Sequence, residues 1–156
     1  MQIIIDGYNL LLRSRKGGAL AESELERMRD GLIHQMAAYA VNRSIAATIV
    51  FDGRQGIPAQ AAPPGGRVKV IYSRPPENAD ALIKRLVQAA RQPRDITVVT
   101  SDQPLARFVR SCGSQQLSSE EWRKKMERGR DQDLQEKHGR LDNLDLEEWL
   151  RLFGEK

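Results

Sequence analysis

Residues 45–52 read Ile-Ala-Ala-Thr-Ile-Val-Phe-Asp. The apolar run is continuous rather than alternating, the pattern of a strand covered on both faces, and it stops on a carboxylate. Two other stretches end the same way. Residues 2–6 are Gln-Ile-Ile-Ile-Asp, and residues 96–102 are Ile-Thr-Val-Val-Thr-Ser-Asp. Residues 67–72 make a further strand and 114–117 a weak fifth. Helical patterns lie between them. Ser23 and Glu26 read as a capping box ahead of a face made by Leu25, Met28, Leu32, Met36 and Tyr39. Asn78 reads as the N-cap of a helix carrying Leu82, Ile83, Leu86, Val87 and Ala90. Asp102, with Pro104 in the first turn, opens another helix that stops at Gly113. Strand–helix alternation predicts an α/β fold, with a mainly parallel sheet, right-handed crossovers and helices on both faces.

Two segments fall outside this alternation. Residues 53–66 hold four Gly and three Pro without an apolar period, and read as a long surface loop. After Ser118 and Glu121, a second capping box, a helix is expected to end near Gly129. Residues 130–144 then read as a polar linker, and Asp145 with Glu148 as the start of a short amphipathic helix bearing Leu146, Trp149, Leu150 and Phe153.

Composition narrows the chemistry. The chain of 156 residues carries one Cys, which excludes an internal disulfide framework and a Cys-based zinc cluster. Residues 45–51 are too short an apolar run for a bilayer, which takes about 20 residues. No secretory signal pattern opens the chain, so a cytoplasmic protein without membrane association is expected. Residues 1–117 hold 16 basic and 10 acidic side chains, whereas 118–156 hold 9 and 11. A basic body suits a nucleic-acid partner. Aromatic content of 5% argues against a platform that stacks single-stranded bases.

In parallel sheets, ligands bind at the carboxyl ends of the strands. Asp6, Asp52 and Asp102 all project from that edge, and Asp80 joins them from the first turn of the helix after the third strand. Asp102 has a capping role available and Asp80 can complement a helix dipole, but Asp6 has no such structural need. Unit charges about 4 Å apart repel by about 4 kcal/mol at an effective dielectric of 20, so converging carboxylates invite a cation. Hard oxygen donors without His or Cys point to magnesium or manganese. Such an ion suits phosphodiester hydrolysis by a metal-activated water, with no side-chain nucleophile.

Ile5-Asp6-Gly7-Tyr8-Asn9, Val50-Phe51-Asp52-Gly53, Glu77-Asn78-Ala79-Asp80 and Thr100-Ser101-Asp102 resemble the NYN domains of the YacP-like group, within the PIN-like nuclease superfamily. The resemblance spans residues 2–128. It implies a PIN-like three-layer α/β/α sandwich and metal-dependent endoribonuclease activity, in some members directed at mRNA on ribosomes. Carried over by position, Asp6, Asp80 and Asp102 match the acidic metal-site core, and Asn9 the polar residue beside the first acid. Asp52 matches an acid typical of the YacP-like group. The organisation expected is a nuclease domain over 1–128, followed by the polar linker and helical extension over 129–156.

Arg13, Arg15 and Lys16 form a basic loop soon after Asp6, and Arg54 and Arg74 also flank the acidic edge. These five are the candidates for gripping RNA phosphates, with a solvated loop as the plainer alternative. Other enzyme classes lack their residues. A haloacid-dehalogenase-type phosphatase needs an acid where Tyr8 stands, and no phosphate-binding glycine loop occurs. The competing reading is a non-catalytic RNA- or ribosome-binding module on the same scaffold.

Overall fold

The computed structural model describes residues 1–13, 18, 20–53 and 66–153. Five strands form one sheet: β1 (Gln2–Asp6), β2 (Ala46–Phe51), β3 (Val68–Tyr72), β4 (Ile96–Val99) and β5 (Gln115–Leu117). Their order is β3-β2-β1-β4-β5, and every pairing is parallel. The chain builds outward from β1 to β3, then crosses back to lay β4 on the other side of β1. The point where the order reverses therefore lies between β1 and β4, and its carboxyl edge is where sheets of this kind receive their ligands.

Alternate residues of these buried strands feed two cores. Ile4, Val50, Ile96 and Val98 pack with Leu82, Ile83 and Val87 of α3 (Ala79–Ala89) and with Leu105 and Val109 of α4 (Gln103–Ser111). Phe51, next to Val50, turns to the opposite face, where its ring meets Tyr8 at 4.9 Å and Tyr72 at 5.5 Å. Tyr8 belongs to a six-residue helix, α1 (Gly7–Leu12), that follows β1 without a loop and that the apolar pattern does not announce. Beyond it lies α2 (Glu22–Arg43), which buries Leu32, Met36, Tyr39 and Ala40. Helices on both faces of a parallel sheet make the three-layer α/β/α sandwich, with a helical C-terminal part.

Two local expectations need correction. The capping box at Ser23 is not formed: α2 starts at Glu22, with Ala21 at its N-cap and no side-chain cap. Glu22 instead accepts from the buried Arg29 guanidinium at 2.9 Å, and its charge favours the helix start. Residues 130–144 are not a linker. One helix, α5, runs over Ser119–Phe153. Its middle is polar on every side yet rich in Gln, Glu, Lys, Arg and Leu, all good helix formers. Asp133 with Lys137 and Glu136 with Arg140 stand at i,i+4 spacing in the favourable order. Gly129 and Gly139 each cost only about 1 kcal/mol against this, too little to stop it.

Four other signals hold, at Asn78, Asp102, Ser118 and Gly113, whereas Gly129 ends no helix and Asp145 starts none, because α5 runs through both. Asn78 Oδ1 accepts from the Ala81 N–H at 2.8 Å, and Asp102 Oδ1 from Leu105 N–H at 3.3 Å. Ser118 Oγ accepts from Glu121 N–H at 3.1 Å. Gly113, at φ +91°, ends α4 in the left-handed region. The loop expected over 53–66 lies, for residues 54–65, outside the described residues. By packing, the chain divides after Trp122 into the α/β body and the remainder of α5. No helix among the described residues is long and apolar enough to cross a membrane.

Candidate active site

Asp6 ends β1 and Asp102 follows β4, so the two acids flank the reversal point of the sheet. One hydroxyl ties them together. Thr100 Oγ1 donates to Asp6 Oδ2 at 3.1 Å and accepts from the Asp102 N–H at 3.1 Å. Thr100 is fully buried, so this hydrogen bond is sheltered from competing water. Burial pushes the Asp6 carboxyl up to about 6 from an ordinary 3.8, and the charges of Asp102 and Asp80 push the same way. The Thr100 hydroxyl and the Asn9 backbone N–H act in the opposite sense, without cancelling the rise. An anion is thus held where it is costly, beside two others. That arrangement favours a bound cation.

Asp80 comes from the first turn of α3. Its Oδ2 lies 3.1 Å from Lys84 Nζ, one turn further along, and Lys84 also stands 5.4 Å from the centre of the Phe108 ring. Asp52 is at the same edge, beyond β2. Its Oδ1 is 3.5 Å from Ser73 Oγ, which also accepts from the Gly53 N–H at 3.0 Å.

Asn9 sits in a polar network. Its Oδ1 accepts from the Ser101 N–H at 2.9 Å and from Ser119 Oγ at 3.1 Å. Ser101 Oγ accepts from the Ser119 N–H at 2.9 Å and donates to Glu120 at 3.2 Å. Glu120 in turn is 3.9 Å from Arg13 Nε. Arg13, half-exposed at the end of α1, is thereby linked to the acidic edge. Arg74 is exposed in the turn after β3, also at that edge. Arg15, Lys16 and Arg54 lie outside the described residues.

Gly7 shows why the strand passes straight into α1. A Cβ there would fall 2.6 Å from Phe51 Cδ1 and 3.1 Å from the Val50 carbonyl oxygen. Only glycine lets the first turn of α1 approach β2 so closely, and that approach carries Tyr8 and Asn9 into place.

The YacP-like NYN domain is the family whose model matches this chain, over residues 3–149. The chain belongs to this family. The YacP protein of Bacillus subtilis strain 168, described as uncharacterized, is 32% identical over 101 residues, covering 64% of this chain and 59% of that protein. The chain thus matches less than two thirds of that relative's length. A crystal structure of Rae1 (YacP) from Bacillus subtilis superposes with a TM-score of 0.76 at 25% identity, covering 97% of this chain and 87% of the other. A tryptophan-to-leucine variant of it gives 0.75 at 25% identity, covering 94% and 87%. The NYN domain is a PIN-like nuclease fold, and the matched region runs past residue 128 into α5.

Within this NYN domain the donor chemistry suits a hard divalent cation. Asp80 uses Oδ2 on Lys84 and Asp102 uses Oδ1 on its helix, which leaves Asp80 Oδ1 and Asp102 Oδ2 without a partner among the described residues. Among those residues no three acids yet close around a common point. Thr100, Ser101, Ser119, Glu120 and Lys84 all shape this edge, and sequence reasoning assigned none of them a role there. Ser119 meets Asn9 across 110 positions, a separation at which no local pattern exists. Lys84 alone left a signal, its i,i+4 spacing from Asp80.

Proposed function

We propose that this protein is a metal-dependent endoribonuclease that hydrolyses RNA phosphodiester bonds at the carboxyl edge between β1 and β4. The observation that carries the reading is the joining of Asp6 and Asp102 by the Thr100 hydroxyl at the position where a parallel sheet receives its ligand, with burial and the Asp102 and Asp80 charges raising the Asp6 pKa. Asp6, Asp80 and Asp102 would hold magnesium or manganese, oxygen donors being the ligands such ions prefer. When bound, the ion supplies neutralisation of the phosphate charge and an activated water. Thr100 holds the Asp6 carboxylate in one orientation. Arg13, Arg15, Lys16, Arg54 and Arg74 would grip the RNA phosphates flanking the cleaved bond, a role that the Arg13–Glu120 link to the acidic edge supports. Asp52, bonded to Ser73, acts at the rim of the site. The substrate class is RNA, mRNA at the ribosome being the specific case, and the compartment is the cytoplasm.

The test is incubation of labelled RNA with the protein in magnesium, in manganese and in chelator. Cleavage that needs the ion and leaves 5′-phosphate and 3′-hydroxyl ends is expected. Ends carrying a 2′,3′-cyclic phosphate, or cleavage unaffected by chelator, would contradict it. Metal-independent RNA binding without cleavage would favour a binding module instead.

A further inference from the structure

The orientation of the Asn9 side-chain amide is dictated by its partners. A backbone N–H can only donate, so the atom facing the Ser101 N–H at 2.9 Å must be the oxygen. The Ser119 hydroxyl donates to that same oxygen at 3.1 Å, which occupies both lone pairs. Oδ1 therefore has no capacity left for a cation. Nδ2 faces away with two hydrogens, has no partner among the described residues, and is not one of the buried polar atoms left unsatisfied. It is a fixed, solvent-reachable donor at the acidic edge, three residues after Asp6 in the chain.

What fixes it is unusual in its reach. Ser119 is 0% exposed and Ser101 4%. Both groups of Ser119 are committed inward, the hydroxyl to Asn9 and the N–H to Ser101 Oγ at 2.9 Å. The start of α5 thus braces the start of α1 across the mouth of β4. A buried polar group so fully engaged contributes geometry more than stability.

We propose that Ser119 is a positioning residue that, with the Ser101 N–H, holds Asn9 so that its Nδ2–H group donates to a non-bridging oxygen of the bound phosphodiester. Asn9 is then a catalytic residue through its nitrogen and not a metal ligand through its oxygen. The proposal rests on the nuclease reading above. A donor fixed before substrate arrives needs no reorganisation as charge develops on the phosphate, which is where such groups act most strongly.

Three variants separate the possibilities. Asn9→Asp keeps an acceptor for Ser101 and Ser119 but removes the donor. Its kcat on RNA should fall by about 100-fold or more, while calorimetric affinity for manganese stays equal or tightens. Ser119→Ala should lower kcat about tenfold with KM and metal affinity within about twofold, and Ser119→Thr should restore most of the loss. The positioning claim is also read without metal or RNA, from the Asn9 side-chain amide signals in a nitrogen-15 spectrum. These should be sharp in wild type and Ser119→Thr, and shifted or broadened in a folded Ser119→Ala. Coincident signals in Ser119→Ala and wild type would overturn the positioning role. Asn9→Asp cleaving nearly as well as wild type would overturn the donor role. Wild type that neither binds manganese nor cleaves RNA would sink the nuclease reading and the donor role, leaving the amide signals to decide the positioning alone.

Discussion

Lys84 Nζ lies 3.1 Å from Asp80 Oδ2, one helical turn away on α3 and against the face of Phe108. The ammonium occupies one oxygen of an acid assigned here to a cation. In the proposed site it would compete with a bound cation for that oxygen.

Replacing Lys84 by Met should make the site more receptive to magnesium. At about 4 Å and an effective dielectric of 20, a removed like charge is worth up to about 4 kcal/mol, so a tightening of at least about threefold is expected after solvent screening. The partly exposed pair contributes little to the fold, and its loss should cost less than about 1 kcal/mol. Calorimetric titration with magnesium, alongside urea unfolding, checks both figures. Weaker binding in a folded Lys84→Met would show that the lysine supports the site instead.

Asp6 makes the stability of the metal-free protein depend on pH. Its folded pKa, about 6, stands above the ordinary 3.8, so the folded state holds the proton more tightly than the unfolded chain. The contribution is full below pH 3.8 and is lost as pH rises through about 6. Integrated over that window it amounts to no more than about 3 kcal/mol. Unfolding free energy measured from pH 4.5 to 7.5 in chelator should decline more steeply for wild type than for Asp6→Asn. Equal slopes would mean that Asp6 titrates like an ordinary surface carboxylate.

Gly7→Ala should destabilise the fold by about 1–3 kcal/mol, as overpacking does in a filled core. The new methyl meets a Phe51 ring held between Tyr8 and Tyr72, and a backbone carbonyl that cannot yield. Denaturant midpoints will show it. A change below about 0.5 kcal/mol would indicate that α1 can shift away from β2.

Trp122 anchors the first turns of α5. Its side chain is 0% exposed and meets the Tyr39 ring edge-on at 5.4 Å, while Nε1 has no hydrogen-bond acceptor among the described residues. Trp122→Ala should cost about 3–5 kcal/mol. Trp122→Phe should cost clearly less, because no hydrogen bond is lost with the indole. Similar losses for both would reveal a partner for Nε1.

The sheet was legible in the sequence because its strands are continuous apolar runs that end on Asp6, Asp52 and Asp102. Asn78, Asp102 and Gly113 marked helix ends because those side chains, or the lack of one, do the capping. α1 was hidden because six residues are too few to show a period, and its only mark is a glycine with no room for a Cβ. The long α5 was hidden for the opposite reason. It is helical through propensity and charge spacing, with no apolar stripe in its middle to announce it. Four acids at one edge could be inferred from topology alone. The bonds of Thr100, Ser101 and Ser119 that orient Asp6 and Asn9 join residues 92 to 110 positions apart, and only the folded chain brings them together.

The central claim is that Asp6, Asp80 and Asp102 form a divalent-cation site, and melting curves with and without magnesium test it without knowledge of the RNA cleaved. At ten times Kd, a ligand bound only to the folded state adds about 1.4 kcal/mol, a rise of about 3–6 °C for a chain of this size. Wild type should show that rise, and Asp6→Asn, Asp80→Asn and Asp102→Asn little of it. Without metal, Asp6→Asn and Asp80→Asn should melt at or slightly above wild type, because each relieves repulsion, and Asp102→Asn should match it, because Asn also caps helices. No magnesium shift in wild type, together with lowered melting temperatures in all three variants, would contradict the account.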